Sequence, residues 1–309
     1  MHKVKFERAG WELSPIALGT WIFGGGKEWG AAVREQEAVN VMRYAVDLGV
    51  NIIDTAPAYG LGRAEDLTGR ALEGRRDRVI LATKCGLLFG EKMLRKNLKG
   101  ESIEYEIEAS LRRLKTDYID LYQTHWPDPE ADLADTYGTL LRLKEQGKIR
   151  QIGVSNVSLE LLKQIEAICP VACVQNEYSF FKPEAGEEVF NYCEQNGIGF
   201  LAYGSLAGGI LTGKYETQPT FAKSDVRSFF YRMYRGEKFD HAANAVKRFK
   251  EVAAKYERPA SAVALAWAAA TKPFIVPIAG ARNKIQLEQN AQVMLLDLKP
   301  EDISYLNGN

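Results

Sequence analysis

Short apolar runs alternate along this chain with longer segments whose apolar positions recur every three or four residues. The short runs predict strands over Ile16–Leu18, Asn51–Ile53, Val79–Thr83, Tyr118–Gln123, Ile149–Val154, Ala172–Gln175, Gly197–Ala202 and Phe274–Ile278. The segments between them predict helices over Glu35–Leu48, Ile103–Leu114, Tyr137–Gln146, Leu159–Ala167, Glu187–Asn196, Ala242–Tyr256 and Ala260–Thr271, several with a glycine close behind the last periodic residue. Ahead of them, Val4–Phe6 and Glu12–Leu13 read as a hairpin turning at Ala9-Gly10. Eight strand–helix repeats in 309 residues favour an α/β fold of one domain, a (β/α)8 TIM barrel spanning 1–309, over an open doubly wound sheet. The open alternative would also want a GxGxxG turn after its first strand, and the chain there reads Gly19-Thr20-Trp21-Ile22-Phe23-Gly24. Two connections exceed the usual length, Trp21–Val33 and roughly Tyr203–Asp240, and a barrel would hang both over its C-terminal mouth.

Charge narrows the choice of partner. Forty Lys and Arg balance forty Asp and Glu, and no run of five like charges occurs, which argues against nucleic acid or a membrane surface. The longest nearly apolar stretch, Ala262 to Ala270, falls well short of the roughly 20 residues a membrane span needs. The opening MHKVKFERAGWEL carries charges where a signal peptide needs an apolar run. Four cysteines without a CxxC pair and three histidines offer no recognisable metal set, so the expectation is a cytoplasmic, reduced, metal-free protein.

The chemistry gathers at strand ends. Asp54 closes the second strand, Lys84 the third and His125 the fourth, with Tyr59 in the loop after Asp54, and a barrel carries all four to one mouth. Taken singly, an Asp there reads as a helix cap and a Lys as solvated. In the contexts Asp54-Thr-Ala-Pro-Ala-Tyr59-Gly, Thr83-Lys84-Cys-Gly and Gln123-Thr-His125-Trp-Pro-Asp128 the chain resembles the aldo-keto reductase superfamily, in particular the bacterial and plant branch related to potassium-channel β subunits. The segments Gly153-Val-Ser-Asn156, Gln175-Asn-Glu-Tyr178-Ser, Tyr203-Gly-Ser-Leu-Ala-Gly-Gly and Pro277-Ile-Ala-Gly280-Ala-Arg282 extend the resemblance over nearly the whole chain.

That resemblance implies an NADPH/NADP+ cofactor and a small-molecule carbonyl substrate. It makes Asp54, Tyr59, Lys84 and His125 the catalytic tetrad, with Tyr59 as acid, Lys84 favouring its phenolate, Asp54 holding Lys84, and His125 orienting the carbonyl. For the cofactor it implies Thr20, Trp21 and Asp54, then Ser155, Asn156 and Gln175 on the carboxamide with Tyr203 stacked on the nicotinamide. It places Gly204, Ser205, Leu206, Ala207 and Gly208 around the pyrophosphate under Lys214 and Arg227, although Arg227 reads equally as a surface arginine. Gly280, Arg282 and Gln286 fall at the adenosine 2′-phosphate, and Gln289 with Asn290 at the adenine. Read without the family, Ser155-Asn156 is a helix cap and Tyr203 a half-buried core aromatic.

For substrate contacts the expectation is Trp21, Phe23, Tyr59, His125 and Trp126, within an aromatic mouth that Trp29, Phe229, Phe230, Tyr231 and Tyr234 could extend. Arg232, Arg235 and Lys238 read better as a solvated basic loop than as an anion trap. The leading function is an NADPH-dependent reductase. The alternatives are an NADP-dependent sugar or polyol dehydrogenase and a nicotinamide redox-sensing regulatory subunit.

Overall fold

The computed structural model describes residues 3–89 and 94–308. Strands β1 (Val4–Phe6) and β2 (Trp11–Leu13) form an antiparallel hairpin in which Val4 faces Leu13 and Phe6 faces Trp11. Next come β3 (Ala17–Gly19), β4 (Ile52–Asp54) and β5 (Ile80–Cys85), then a small antiparallel pair, β6 (Leu87–Phe89) and β7 (Leu94–Lys96). The remaining strands are β8 (Ile119–Thr124), β9 (Ile149–Ser155), β10 (Cys173–Glu177), β11 (Gly199–Tyr203) and β12 (Ile275–Ala279). Eight of these strands close into a parallel barrel in the order β10-β11-β12-β3-β4-β5-β8-β9. All eight barrel strands anticipated from the apolar runs are present, with most ends displaced by a residue or two.

Helices α1 (Glu35–Asp47), α2 (Arg63–Leu72), α3 (Gly100–Leu114), α4 (Leu133–Glu145), α5 (Leu159–Glu166), α6 (Glu187–Asn196), α7 (Glu237–Tyr256), α8 (Ala260–Ala270), α9 (Lys284–Ala291) and α10 (Pro300–Asn307) complete the chain. The helix α2, together with β6, β7, α9 and α10, is absent from the sequence expectation. In α2 the inner face buries Glu65, Thr68 and Gly69 among its apolar residues, so its hydrophobic period is broken by polar and small side chains. Helix α4 starts ahead of the expected Tyr137 because Asp132 caps it, accepting from the Ala134 amide at 2.7 Å. Among the described residues no helix is long and apolar enough to cross a membrane.

The core has two shells. Inside the barrel, Ala17, Ile52, Ala82, Leu121, Cys173, Leu201 and Val276 pack with Val4, Phe6 and Leu13 of the hairpin, which therefore plugs the end opposite the mouth. The fit is tight at Gly199, where an added Cβ would lie 2.1 Å from the Phe6 ring. Arg8 secures the plug, donating to Glu166 at 2.6 Å and to the Val171 carbonyl at 3.0 Å. A larger shell outside joins the strands to the helices. The plug leaves only the C-terminal mouth open for chemistry.

Phe6→Ala should cost about 3–5 kcal/mol, the usual price of emptying a well-packed aromatic site. Urea unfolding of both proteins measures it, and a loss below about 1 kcal/mol would show that the hairpin is not integral to the core.

Candidate active site

The strand ends deliver the side chains and the loops lock them. Asp54 is the last residue of β4, Lys84 is the penultimate residue of β5, and His125 follows β8 directly. Tyr59 hangs from the loop after β4, and its neighbour Gly60 explains how that loop is held. Gly60 has φ +63°, and a Cβ there would fall 1.8 Å from the Gly24 carbonyl oxygen. Only glycine lets the loop after β4 press against the loop after β3. That contact brings Trp21 over Tyr59, with rings 18° from parallel and 5.8 Å between centroids.

Lys84 is fully buried. Its Nζ lies 2.9 and 2.8 Å from the two Asp54 oxygens, 3.0 Å from the Thr55 carbonyl and 3.1 Å from Tyr59 Oη. Asp54 Oδ1 also accepts from Gln175 Nε2 at 2.8 Å, and Thr20 donates its hydroxyl to the Asp54 carbonyl at 3.0 Å. Burial draws the Lys84 ammonium below the usual lysine range, and Asp54 opposes that shift. Burial, and after it the Asp54 charge, pushes the Tyr59 phenol well above its ordinary value. Burial and then Lys84 push His125 well below the usual imidazole range, which keeps it neutral.

The Tyr59 shift differs from the expectation that Lys84 would draw the phenol towards phenolate. The cause is burial first and the Asp54 charge second, which together outweigh the Lys84 hydrogen bond to Oη. The phenol therefore rests protonated, with an ammonium donating to its oxygen.

A cavity of about 830 Å³ opens from this cluster across the mouth. Tyr59, His125, Trp21 and Trp126 line it, as do Trp29, Phe229, Phe230 and Tyr231. Phe23 does not: it is fully buried in the outer shell, because the turn Trp21–Phe23 directs Trp21 to the cavity and Phe23 beneath the loop. Its expected substrate contact is corrected accordingly. Tyr234 is also buried, donating to the Gly208 carbonyl at 3.0 Å and bracing that loop from behind. Arg232, Arg235 and Lys238 are exposed and stand off the wall.

Beside the tetrad the wall carries Thr20, Ser155, Asn156, Gln175 and Tyr203. Asn156 donates to the His125 carbonyl at 2.9 Å and accepts from Tyr203 Oη at 2.7 Å, while Ser155 Oγ donates to the Gln175 carbonyl at 2.7 Å. These bonds make the amide patch rigid. Further along, Gly204, Ser205, Leu206 and Gly208 line the wall, and Ala207 is buried behind it. Gly208 and Gly209 have φ +67° and +97°, and Lys214 Nζ stands 3.7 Å from where a Gly209 Cβ would be. Bare backbone facing an ammonium is a cradle suited to an anionic oxygen.

Arg227 also lines the cavity but is held by Asp225 at 2.6 Å and by Tyr215 Oη at 3.0 Å. At the far end lie Gly280, Arg282, Gln286, Gln289 and Asn290. Arg282 donates from Nη1 to the Trp29 carbonyl at 2.9 Å and from Nη2 to that of Ala31, and its amide donates to Gln286 Oε1 at 2.9 Å. Asn290 anchors the turn through the Gly280 carbonyl at 3.2 Å.

Two carboxyls behind the site escaped the sequence reading. Glu65 of α2 accepts from Thr83 Oγ1 and from Arg113 Nε, each at 2.6 Å, directly beneath Lys84. Glu106 of α3 accepts the Gly86 amide with both oxygens at 3.1 Å, fixing the turn that ends β5. Each lies on the inward face of a helix, where a charged residue in an apolar stripe was the available signal. Burial raises Glu106 to about 7.

The raised group carries a pH dependence. Between about 4.5 and 7 the folded state holds a proton that the unfolded chain has released, so stability should fall as pH rises through that window. The expected difference between the parent and Glu106→Gln is up to about 3 kcal/mol. Denaturant melts at pH 5 and pH 8 measure it, and parallel pH trends in the two proteins would refute the shift.

The profile of the Aldo/keto reductase family matches residues 15–308. The chain is 38% identical to the aldo-keto reductase YhdN of Bacillus subtilis over 99% of this chain and 93% of the relative. It is 31% identical to the NADH-specific methylglyoxal reductase of Escherichia coli over 99% and 97%. Among solved structures, a glycerol dehydrogenase from Gluconobacter oxydans superposes with a TM-score of 0.91 at 32% identity, covering 99% of this chain and 94% of that one. An aldo/keto reductase from Klebsiella pneumoniae in complex with NADP and acetate superposes with a TM-score of 0.78 at 26% identity, covering 99% and 94%.

Proposed function

The chain belongs to the aldo/keto reductase family, and from that premise we propose that it is an NADPH-dependent reductase of aldehydes or ketones with Tyr59 as the general acid. The observation that carries this reading is Lys84 Nζ, joined at once to Asp54 and to Tyr59 Oη on the wall of the cavity. When bound, the reduced nicotinamide supplies the hydride. The protein's part is to hold the carbonyl and to deliver a proton to its oxygen.

Negative charge gathers on the carbonyl oxygen as hydride arrives, and the Tyr59 phenol, kept protonated by its buried setting, gives up its proton there. The phenolate left behind is received by the ammonium of Lys84, whose hydrogen bond to Oη is already formed. Asp54 fixes Lys84 and keeps the cluster close to neutral before the transfer. Neutral His125, whose ring meets that of Tyr59 edge-on, offers a second hydrogen bond to the substrate oxygen.

For the cofactor, Ser155, Asn156 and Gln175 would meet the carboxamide and Tyr203 the ring face, with Gln175 Oε1 accepting from the amide N–H. The family includes an NADH-specific member, so the argument for NADPH has to come from this chain's own residues. It comes from Arg282. Two carbonyls occupy its guanidinium here, and a 2′-phosphate, as a charged acceptor, would displace them.

The test is the loss of nicotinamide absorbance with NADPH, and separately with NADH, against aldehydes, ketones, aldoses and methylglyoxal. Tyr59→Phe should cut kcat by about 10²–10⁴-fold while leaving cofactor affinity nearly intact; full turnover in that variant would sink the assignment. Arg282→Ala should weaken NADPH by at least about tenfold and barely change NADH. Equal losses for both cofactors would reject a 2′-phosphate role.

A further inference from the structure

Among the described residues, Lys84 Nζ is the one hydrogen-bond partner of Tyr59 Oη. Lys84 itself is pinned independently, by both Asp54 oxygens and by the Thr55 carbonyl. What sets Tyr59 against the ammonium is therefore the course of the backbone that carries it.

That backbone runs directly into α2. The Tyr59 carbonyl accepts from the Ala64 amide at 3.2 Å and the Gly60 carbonyl from the Arg63 amide at 3.1 Å, so the loop and the first turn of the helix form one piece. Glu65 is the next residue. Its Oε1 accepts from Thr83 Oγ1 at 2.6 Å, and Thr83 immediately precedes Lys84 on β5. Side chains alternate along a strand, so Lys84 points into the mouth while Thr83 points outward to the helices. The result is a closed circuit: from Tyr59 to Lys84 at the mouth, one residue back along β5 to Thr83, across to Glu65, and through Ala64 to Tyr59 again. Its outer bond is fully buried, since neither Glu65 nor Thr83 has any exposure.

The outer bond is braced from behind. Arg113 of α3 donates from Nε to the other Glu65 oxygen at 2.6 Å. A Cβ at Gly69 of α2 would fall 2.5 Å from the Arg113 carbonyl oxygen, so the two helices meet at backbone distance. A buried ion pair is a costly way to join a helix to a strand, and apolar side chains of similar volume would serve the fold as well. The Glu65 charge also opposes the effect of burial on the Lys84 ammonium, in the same sense as that of Asp54.

We propose that Glu65 is a positioning residue for the reduction: through Thr83 it fixes the first turn of α2 to β5, and so sets Tyr59 Oη at hydrogen-bond distance from Lys84 Nζ. The assignment rests on the reductase reading above and deepens it. Glu65 is not part of the cavity wall and acts only through its neighbours. A displacement of about 1 Å at a reacting group can cost on the order of 10²-fold in rate, so a bond on the far side of β5 can govern turnover.

Thr83→Val deletes the hydroxyl while keeping the side-chain shape and the Glu65–Arg113 pair, and Thr83→Ser keeps the hydroxyl. Two readouts are taken on each folded protein: kcat and the NADPH dissociation constant, with the compound of the carbonyl panel that the parent reduces fastest, and the isotope-labelled Cζ resonance of Tyr59 by NMR. The resonance is assigned by its loss in Tyr59→Phe and reports the bond to Lys84 without turnover. Thr83→Val should lower kcat by about 10- to 100-fold, leave the NADPH dissociation constant at the parental value and shift the Tyr59 resonance. Thr83→Ser should restore both, and Thr83→Val should cost nothing further in a Glu65→Leu background. Parental kcat and resonance in Thr83→Val, equal losses in Thr83→Ser, additive losses in the double variant, or a loss of cofactor affinity matching that of kcat would overturn the proposal. The two threonine variants decide the matter even where Glu65→Leu does not fold. If the parent reduces no carbonyl compound, the reductase reading fails and the resonance alone decides: a shift in Thr83→Val keeps Glu65 as the residue that sets Tyr59 against Lys84, and an unmoved resonance removes it.

Discussion

The buried ion pair between Lys84 and Asp54 is the constraint around which the mouth of the barrel is organised. A lone ammonium with no solvent access would be too costly to keep, and the carboxylate at 2.8 Å is what permits it. That solution demands further partners. The Asp54 side chain accepts from Gln175 on β10, its carbonyl from Thr20 beside β3, and Lys84 spends its remaining donor capacity on the Thr55 carbonyl and Tyr59. One ion pair thus binds strands from both sides of the barrel and the loop that carries Tyr59. Removing either partner would leave the other charge buried and unanswered, so structural and chemical demands at this point coincide.

The loops above the pair depend on close backbone contact. Gly24 against Gly60 joins the loop after β3 to the loop after β4, and Trp21 lies over Tyr59 as a result. The other end of the β3 loop is held by Arg282, which takes the carbonyls of Trp29 and Ala31. The same loop therefore touches Tyr59 at one end and the residue proposed to read the 2′-phosphate at the other. A ligand that displaced those carbonyls from Arg282 would free part of the loop bearing Trp29 and leave the Gly24–Gly60 contact in place.

The barrel was legible because burial of parallel strands on both faces writes mostly apolar runs, although β8 carries Asp120 and Gln123 and β9 carries Arg150 and Gln151. The tetrad was legible because the barrel turns strand ends into a shared mouth. What the sequence hid has physical causes. Helix α2 buries Glu65 and Thr68 in its inner face, so its periodicity is weak until Thr83 and Arg113 are known to satisfy the carboxylate. Phe23 and Trp21 sit two apart in a tight turn, and no periodicity says which of two aromatics faces the cavity. The Tyr59 shift comes from burial first and from the Asp54 charge second, and how deeply a loop residue is buried is not encoded by any spacing in the chain.

The two ends of the cavity follow opposite electrostatic rules, and this division accounts for much of the design. At the tetrad every charge is answered: Lys84 by Asp54, Arg113 by Glu65, and His125 is held neutral. The proposed acid, Tyr59, is raised by burial first and by the Asp54 charge second, and in the proposed mechanism stabilisation is offered only as charge develops on a substrate oxygen, which is when it lowers a barrier. Along the glycine segment and beyond it, Lys214 stands over a tyrosine ring and Arg282 donates to backbone carbonyls, with Asp225 close enough to feel the Arg282 charge. Positive potential spent there strengthens ground-state binding and leaves the reacting centre untouched. Under the proposed mechanism, keeping the two apart lets the chain grip an anionic dinucleotide without drawing the Tyr59 proton away before the substrate arrives.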